Sequence, residues 1–283
     1  MLRIGTCSWK YDSWVGILYS TLDKTEYLAA YSKKFDTVEV DQWFWSLFPG
    51  TPPKLPAEET VKQYATAVPD NFLFSIKVPN SLTLTHYYKK YTKGELKANP
   101  YFLSVDLFEA FLEKLELMGG KTGPLIFQFE YLNKQKMPAQ QIFLSKLEEF
   151  ITHVPRNIPV AIEIRNPNYL NEQYFRFLET HGISHVFTEG YYMPPVTGIY
   201  GKYKKYINKQ TVIRLLGGNR TVIEKLTGGK WNKTVLPQDE NLKQITKMLQ
   251  ELLERQIDVF VNVNNHYEGS APLTINKILT YLK

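Results

Sequence analysis

The chain has 283 residues, 43% of them hydrophobic, and a formal net charge of +6 from 34 basic and 28 acidic side chains. This composition excludes a disordered chain, and the length suits one sizeable core, a little above the ~250 residues of a typical eight-stranded α/β barrel. A single cysteine, Cys7, excludes an intramolecular disulfide and a cysteine metal cluster; without an apolar leader core in residues 1–11 or a bilayer-length run, a cytoplasmic, non-membrane protein is expected.

In chain order, Leu2 to Ser8 reads as a first strand and Asp23 to Phe35 as a helix with Tyr27, Leu28, Tyr31 and Phe35 on one face. Thr37 to Asp41 is a second strand, followed by an aromatic and proline-rich loop over 42–56. A helix from Pro56 to Val68 and a turn at Pro69-Asp70-Asn71 lead to a third strand, Phe72 to Val78. A long loop, 79–103, precedes a helix from Ser104 to Met118 that Gly119-Gly120 ends. Then come a strand from Gly123 to Phe129, a helix from Pro138 to Ile151, a strand from Val160 to Arg165 and a helix from Asn171 to His181. Ser184 to Thr188 is a sixth strand. The region 189–210, rich in tyrosine and lysine, reads as a loop with one short helix. Thr211 to Leu216 is a seventh strand, Asp239 to Arg255 an amphipathic helix, Asp258 to Asn264 an eighth strand, and Ala271 to Leu282 a last helix capped by Ser270. Strand and helix alternate throughout without a linker, which predicts parallel βαβ units and a single (β/α)₈ TIM barrel over residues 1–283. The rival open sheet for nucleotides would carry G-x-G-x-x-G after its first strand; Cys7-Ser8-Trp9-Lys10 stands there instead.

The strands share a layout: an apolar start and polar residues at the carboxyl end. In Pro159 to Asn168, Glu163 and Arg165 fall on one face by the period of two, just before a turn. Glu39 with Asp41, Ser75 with Lys77, and Asn262 with Asn264 repeat the pattern. In a parallel barrel these ends share one mouth, where the active sites of this fold lie. Glu39, Glu163, Lys77 and His86 are therefore the catalytic candidates: the carboxylates and His86 as acid or base, Lys77 tuning Glu39 or holding an oxyanion. A plain Glu39–Lys77 ion pair is the structural alternative. Arg165 and Arg214 are candidate anion ligands, because forked guanidinium donors suit oxyanions. Trp9, Gln128, Asn264 and Asn265 complete the expected substrate contacts. Gly217-Gly218-Asn219-Arg220 and the helix start at Ser270 suggest a phosphate site. No metal or cofactor is expected, since no E-x-x-H spacing occurs and His181 and His185 fall at helix and strand-start positions away from the mouth.

Two lysine runs, Lys89, Lys90, Lys93, Lys97 and Lys202, Lys204, Lys205, Lys209, are read as mouth-side loops. With Trp9, Trp14, Trp43, Trp45, Tyr87, Tyr88, Tyr91, Tyr191 and Tyr192 they suit a single-stranded nucleic acid through phosphate pairing and base stacking. Lysines solvated over a roof of aromatics are the alternative.

Several stretches resemble the YecE-like proteins, grouped as domain of unknown function 72. They are Gly5-Thr6-Cys7-Ser8-Trp9 with Trp14 and Gly16, Phe35 to Val40, Phe74 to Pro79 with Thr85-His86, Gly123 to Phe129, Glu163 to Asn166, Arg214, and Asn264-Asn265. The resemblance covers the chain from end to end and implies a TIM barrel of unestablished activity. The chain departs from the family pattern at three mouth positions. Asp41-Gln42-Trp43-Phe44-Trp45 replaces Asn-x-Thr-Phe-Tyr, Leu216-Gly217 replaces His-Gly, and Asn262-Val263-Asn264-Asn265 replaces Tyr-Phe-Asn-Asn. The leading expectation is an enzyme acting on an anionic, phosphate-bearing small molecule. A non-catalytic nucleic-acid-binding protein comes second. A sugar-acting hydrolase is third, disfavoured because Gln128 and Arg214 stand where many barrel glycosidases place carboxylates.

Overall fold

The computed structural model describes residues 1–190 and 192–283, so Tyr191 lies outside the described residues. Eight strands form one parallel sheet: β1 (Leu2–Thr6), β2 (Thr37–Val40), β3 (Leu73–Lys77), β4 (Thr122–Phe129), β5 (Val160–Ile164), β6 (Ser184–Gly190), β7 (Gln210–Gly217) and β8 (Asp258–Val263). The sheet runs β1-β8-β7-β6-β5-β4-β3-β2 and curls into a nearly closed TIM barrel. The helices are α1 (Tyr27–Ser32), α2 (Glu58–Thr66), α3 (Asn80–Thr83), α4 (Val105–Glu116), α5 (Gln140–Ile151), α6 (Glu172–Thr180), α7 (Val196–Tyr203), α8 (Arg220–Thr227), α9 (Asp239–Glu254) and α10 (Ala271–Leu282).

The period of two sorts each strand. Outward residues such as Phe74, Ile76, Phe127, Ile162 and Val261 join the main core under the helices. Inward residues Ile126, Ala161, Val186, Val212 and Phe260 form a separate apolar plug, with Leu73 against it. One step further along the same strands the inward positions become Ser75, Gln128, Glu163, Thr188, Arg214 and Asn262. The plug seals the floor, and the polar layer faces the mouth.

Strands β1 and β2 meet at the seam of the barrel, where Tyr31 bridges them. Its hydroxyl accepts from the Thr6 N–H at 2.9 Å and donates to the Thr37 carbonyl at 3.1 Å. Only glycine fits at position 5, since a Cβ there would lie 2.0 Å from the Thr37 carbonyl oxygen. At the opposite end of the barrel from the mouth, an Arg3 guanidinium nitrogen donates to the carbonyls of Asp36 (3.2 Å) and Asn71 (2.8 Å).

Four departures from the sequence expectation have physical causes. The first helix is only Tyr27–Ser32, because the Asp23 carboxylate accepts from the backbone and hydroxyl of Thr25 and holds a local turn. Helix α8 escaped the apolar periodicity because Val222 and Leu226 face solvent and only Ile223 and Thr227 are buried. Its start is set by Asn219, whose side chain accepts from Val222 N–H. At α10, Ser270 makes no side-chain cap; the Asn265 side chain accepts from Ala271 N–H at 2.9 Å instead. The fourth is topological. Lys202 ends in α7, which carries the chain away from the mouth, and Lys204, Lys205 and Lys209 lead into the start of β7. The Lys209 carbonyl accepts from the first residue of β8, Asp258. The second lysine run therefore lies at the end opposite the mouth, and only the first borders the site.

Candidate active site at the barrel mouth

Glu39 on β2, Glu163 on β5 and Arg214 on β7 meet inside the barrel although 175 and 51 residues separate Arg214 from the two carboxylates. Arg214 binds Glu39 side-on, Nε to Oε2 at 2.7 Å and one terminal nitrogen to Oε1 at 2.6 Å. Its other terminal nitrogen reaches Glu163 Oε2 at 2.5 Å and Gln128 Oε1 at 3.1 Å. Arg165 completes the chain, Nε to Glu163 Oε1 at 2.8 Å and a terminal nitrogen to Gln128 Oε1 at 3.3 Å. Both carboxylates are fully buried and Arg214 is 4% exposed. Burial opposes ionisation of Glu163, yet Arg214, Arg165 and Lys77 override it and hold this carboxyl down at about 2. Burial likewise works against the Arg214 charge, and Glu163 and Glu39 together hold its proton far above the ordinary range. Arg214 thus occupies the space between the carboxylates. Its donors are turned to protein and not to an external anion.

Lys77 ends β3 on the same inner wall but is held differently. It is 8% exposed and makes no hydrogen bond or ion pair with any described residue. Nζ lies 3.8 Å from the ring centroid of Phe44. Burial and then the Arg214 charge lower its pKa to about 8, against the pull of Glu39, Glu163 and Asp41. The alternative of a plain Glu39–Lys77 ion pair does not form, because Arg214 takes both Glu39 oxygens.

Asp41, half-buried just past β2, turns toward this cluster. Burial and then Glu39 raise its carboxyl to about 6, with Lys77 and Arg214 opposing. Cys7 stands 3.8 Å from Glu39 Oε2, and burial followed by Glu39 raises its thiol far above the usual range. Among the described charged groups, three cations (Lys77, Arg165, Arg214) face three carboxylates (Glu39, Asp41, Glu163), so the mouth has no net positive charge with all of them ionised. The polar atoms of Ser75, Thr188 and Asn262, in the same layer of the wall, have no hydrogen-bond partner among the described residues. Buried groups of this kind are normally bonded by solvent or a ligand.

The remaining expected residues fall elsewhere. His86 bonds Thr85 Oγ1 at 3.0 Å; burial and then Lys136 lower its pKa, against Glu130, which places it on the β3–β4 rim and outside the cluster. Trp9 is 2% exposed and packs edge-on against Tyr64 in the main core. Asn264 accepts from the backbone and ring of His266, and Asn265 caps α10, so both shape the β8 loop. Arg220 pairs with Glu224 at 2.7 Å. Among the described residues no group of three or more His, Cys, Asp or Glu side chains is arranged to hold a metal.

Asp41, Cys7 and Tyr11 were not named as site residues from the sequence. The period of two from Glu39 does place Asp41 on the inner face. Nothing in the sequence marks Tyr11, whose hydroxyl pKa is raised by burial and then by Asp41. Tyr11 also lines a cleft of about 490 Å³ between the segment after β1 and the segment joining α8 to α9, with Lys10, Lys24, Lys230 and Trp231, so it stands between that cleft and the charge cluster.

A family model described as "Protein of unknown function DUF72" matches residues 3–283. The crystal structure of a DUF72 family protein from Enterococcus faecalis superposes with a TM-score of 0.71 at 18% identity, covering 100% of this chain and 95% of that one. A DUF72 family protein from Thermotoga maritima gives 0.67 at 21%, covering 100% and 99%. A sugar phosphate isomerase/epimerase from Parabacteroides distasonis gives 0.50 at 12%, covering 99% and 96%. At these identities the likeness establishes the fold. No functionally curated protein matches the sequence.

Proposed function

The chain belongs to the DUF72 family, a family of unknown function, and we propose that its barrel mouth is the active site of an enzyme that moves protons on a small, polar, anion-bearing substrate. The observation that carries this reading is Lys77: a buried amine without a hydrogen-bond or ion-pair partner among the described residues, in one charge cluster with Asp41, with the two pKa values drawn toward neutrality at about 8 and about 6. Such a pair holds both a proton donor and an acceptor near pH 7, which general acid–base catalysis requires. Keeping a lysine buried and unpaired is costly to folding, and a function at the mouth accounts for that cost. Glu39, Arg214 and Glu163 form the fixed wall that sets the local field.

The balanced charge of the mouth argues against seating a phosphate on Arg214. The cleft beside Tyr11 suits the anionic end better, because Lys10, Lys24 and Lys230 line it against one carboxylate, Asp12. The sugar phosphate isomerase/epimerase neighbour shares the fold, and a fold of this kind hosts many chemistries. It makes phosphorylated sugars a reasonable first panel.

The test is solvent deuterium exchange into a panel of small phosphorylated sugars, followed by NMR. The expected result is exchange next to a carbonyl group in wild type and loss of about a hundredfold or more in Lys77→Met and Asp41→Asn. Exchange that persists in both variants would remove the mouth pair from the mechanism.

A second reading rests on the first lysine run. Trp45, Phe48 and Tyr91 are exposed on the rim beside Tyr88, and Lys90 lies over Tyr91 at 4.7 Å. Exposed aromatics under lysines suit stacking and phosphate contacts with a single-stranded nucleic acid.

A further inference from the structure

The surroundings of Lys77 suit a nucleophile as well as a base. An amine attacks a carbonyl only as the free base with its lone pair unengaged. Ordinary surface lysines fail the first condition near pH 7, and ion-paired lysines fail both. Lys77 has no acceptor holding a proton on Nζ among the described residues, and it ends β3 in the charge cluster with 8% of its surface exposed. The groups that face it come from several elements: Arg214 from β7, Glu39 from β2, Glu163 from β5, and Asp41 from the loop after β2. Cys7, at the end of β1, also feels its charge. Burial and Arg214 prevail over the three carboxylates, so at pH 7 Lys77 is neutral on the order of a hundredfold more often than a free lysine. The apolar face of Phe44 lies against the amine and shields one side of it from water.

We propose, resting on the mouth being an active site, that Lys77 forms a covalent imine with a small aldehyde or ketone substrate. In the first step the Nζ lone pair forms a bond to the carbonyl carbon while the carbonyl π pair moves onto oxygen. One proton from Nζ and one from the Asp41 carboxylic acid end on that oxygen. The C–O bond then breaks, water leaves, and the nitrogen lone pair closes the C=N bond. The product is a protonated imine that retains one N–H, with Asp41 now a carboxylate. That carboxylate is the base for a proton on the carbon next to the imine, and the cationic nitrogen accepts the electron pair released there. Addition of water reverses the sequence and frees Lys77. No oxidant, reductant or metal enters the balance.

The experiment is reductive trapping. Wild-type protein is incubated with glycolaldehyde or pyruvate, reduced with sodium borohydride and mapped by peptide mass spectrometry. Parallel samples are acylated with dilute acetic anhydride. The expected result is a borohydride-dependent adduct on Lys77 that forms at least about tenfold faster than on any other lysine. Asp41→Asn is expected to slow that adduct by about a hundredfold while leaving acylation of Lys77 within a few-fold of wild type. Carbonyl trapping at Lys77 no faster than at surface lysines overturns the imine. If Lys77 is nevertheless the residue acylated fastest, the proton-transfer reading of the mouth stands without the imine. If neither reagent prefers Lys77, both readings fall. Equal slowing of both reagents in Asp41→Asn would show that Asp41 acts on the accessibility of the amine, and would overturn its part in the covalent step.

Discussion

The inner wall of the barrel carries two buried cations held in opposite ways. On the β2–β5–β7 side, Arg214 directs its donors to Glu39, Glu163 and Gln128 at 2.5–3.1 Å. On the β3 side, Lys77 is nearly as buried, makes no hydrogen bond or ion pair with a described residue, and has Nζ over the face of Phe44. Burial of charge does not by itself mark function. Glu268, also fully buried, shows this: it accepts from Gln238 N–H, Thr274 and Lys277 and ties the segment before α9 to α10. The Arg214–Glu39–Glu163 network resembles Glu268 in that its charged groups are bonded to protein partners. Lys77 differs in having hydrogen-bonding capacity left over, and that is the property a substrate needs.

The comparison predicts its largest effect at Arg214. Arg214→Met leaves two buried carboxylates facing each other without their shared cation. Removing one partner of a buried ion pair costs about 3–5 kcal/mol. Urea unfolding should show a loss in that range, and Arg214→Lys should recover less than half, because a single ammonium nitrogen lacks the planar fork whose three nitrogens span Glu39 and Glu163. A loss under about 1 kcal/mol would mean that the wall does not depend on this network.

Acid should attack the same wall. Glu163 has a folded pKa of about 2, below its ordinary 4.5, so its contribution is present above pH 4.5 and is lost as pH falls toward 2. The difference of about 2.5 units corresponds to about 3 kcal/mol. Asp41 works in the opposite sense. Its folded pKa is raised from 3.8 to about 6, so falling pH stabilises the fold through that window. Stability measured between pH 4.5 and 2 should fall more steeply in wild type than in Glu163→Gln. Parallel curves would contradict the assignment.

Lys77 should respond with the reverse sign. Its folded pKa of about 8 lies below the ordinary 10.5, so between those values the folded state binds fewer protons than the unfolded chain. Wild-type stability should therefore rise from pH 8 toward 10.5, and the full cost, about 3 kcal/mol for 2.5 units, is present below pH 8. Lys77→Met removes that cost and keeps most of the stem packing. It is expected to gain about 2 kcal/mol at pH 7 and little at pH 10.5. A variant that is less stable than wild type at pH 7 would show that Lys77 is structural.

The fold was legible because eight alternations of strand and helix leave few topologies, and because polar residues gather at strand ends. Glu39, Glu163, Lys77, Arg165, Gln128 and Arg214 were legible for the same reason, since the period of two fixes the face and the topology fixes the end. The pairing was not legible. That Arg214 and not Lys77 takes Glu39 depends on reach across the barrel, where β2 and β7 are not hydrogen-bonded neighbours. Aromatic residues carried the least information. Trp9 is core, Phe44 lies against Lys77, and Trp45 faces solvent, although all three read alike in sequence. The second lysine run was misplaced because α7 was too weakly patterned to show where the chain turned back.

That last point supplies the smallest expected effect and a direct contrast between the two runs. Lys204 is paired with Glu251 at 2.6 Å, and Lys205 lies near Glu172 and over the Tyr206 ring. These are exposed pairs on the side and floor of the barrel, so Lys204→Ala and Lys205→Ala should each leave the urea midpoint essentially unchanged. They should also leave any oligonucleotide affinity unchanged. Lys89 and Lys90 stand on the mouth rim among Tyr88, Tyr91 and Trp45. If the second reading holds, short single-stranded oligonucleotides bind there. Each of Lys89→Ala and Lys90→Ala should then reduce the slope of log affinity against log salt by about 0.7. Tyr91→Ala should cost about 1–3 kcal/mol of binding with the slope unchanged, because stacking releases no counterions. Fluorescence anisotropy across a salt series separates the two runs. A slope that falls equally for Lys204→Ala and Lys90→Ala would place binding off the mouth. Absence of binding at low salt would leave the mouth to small molecules alone.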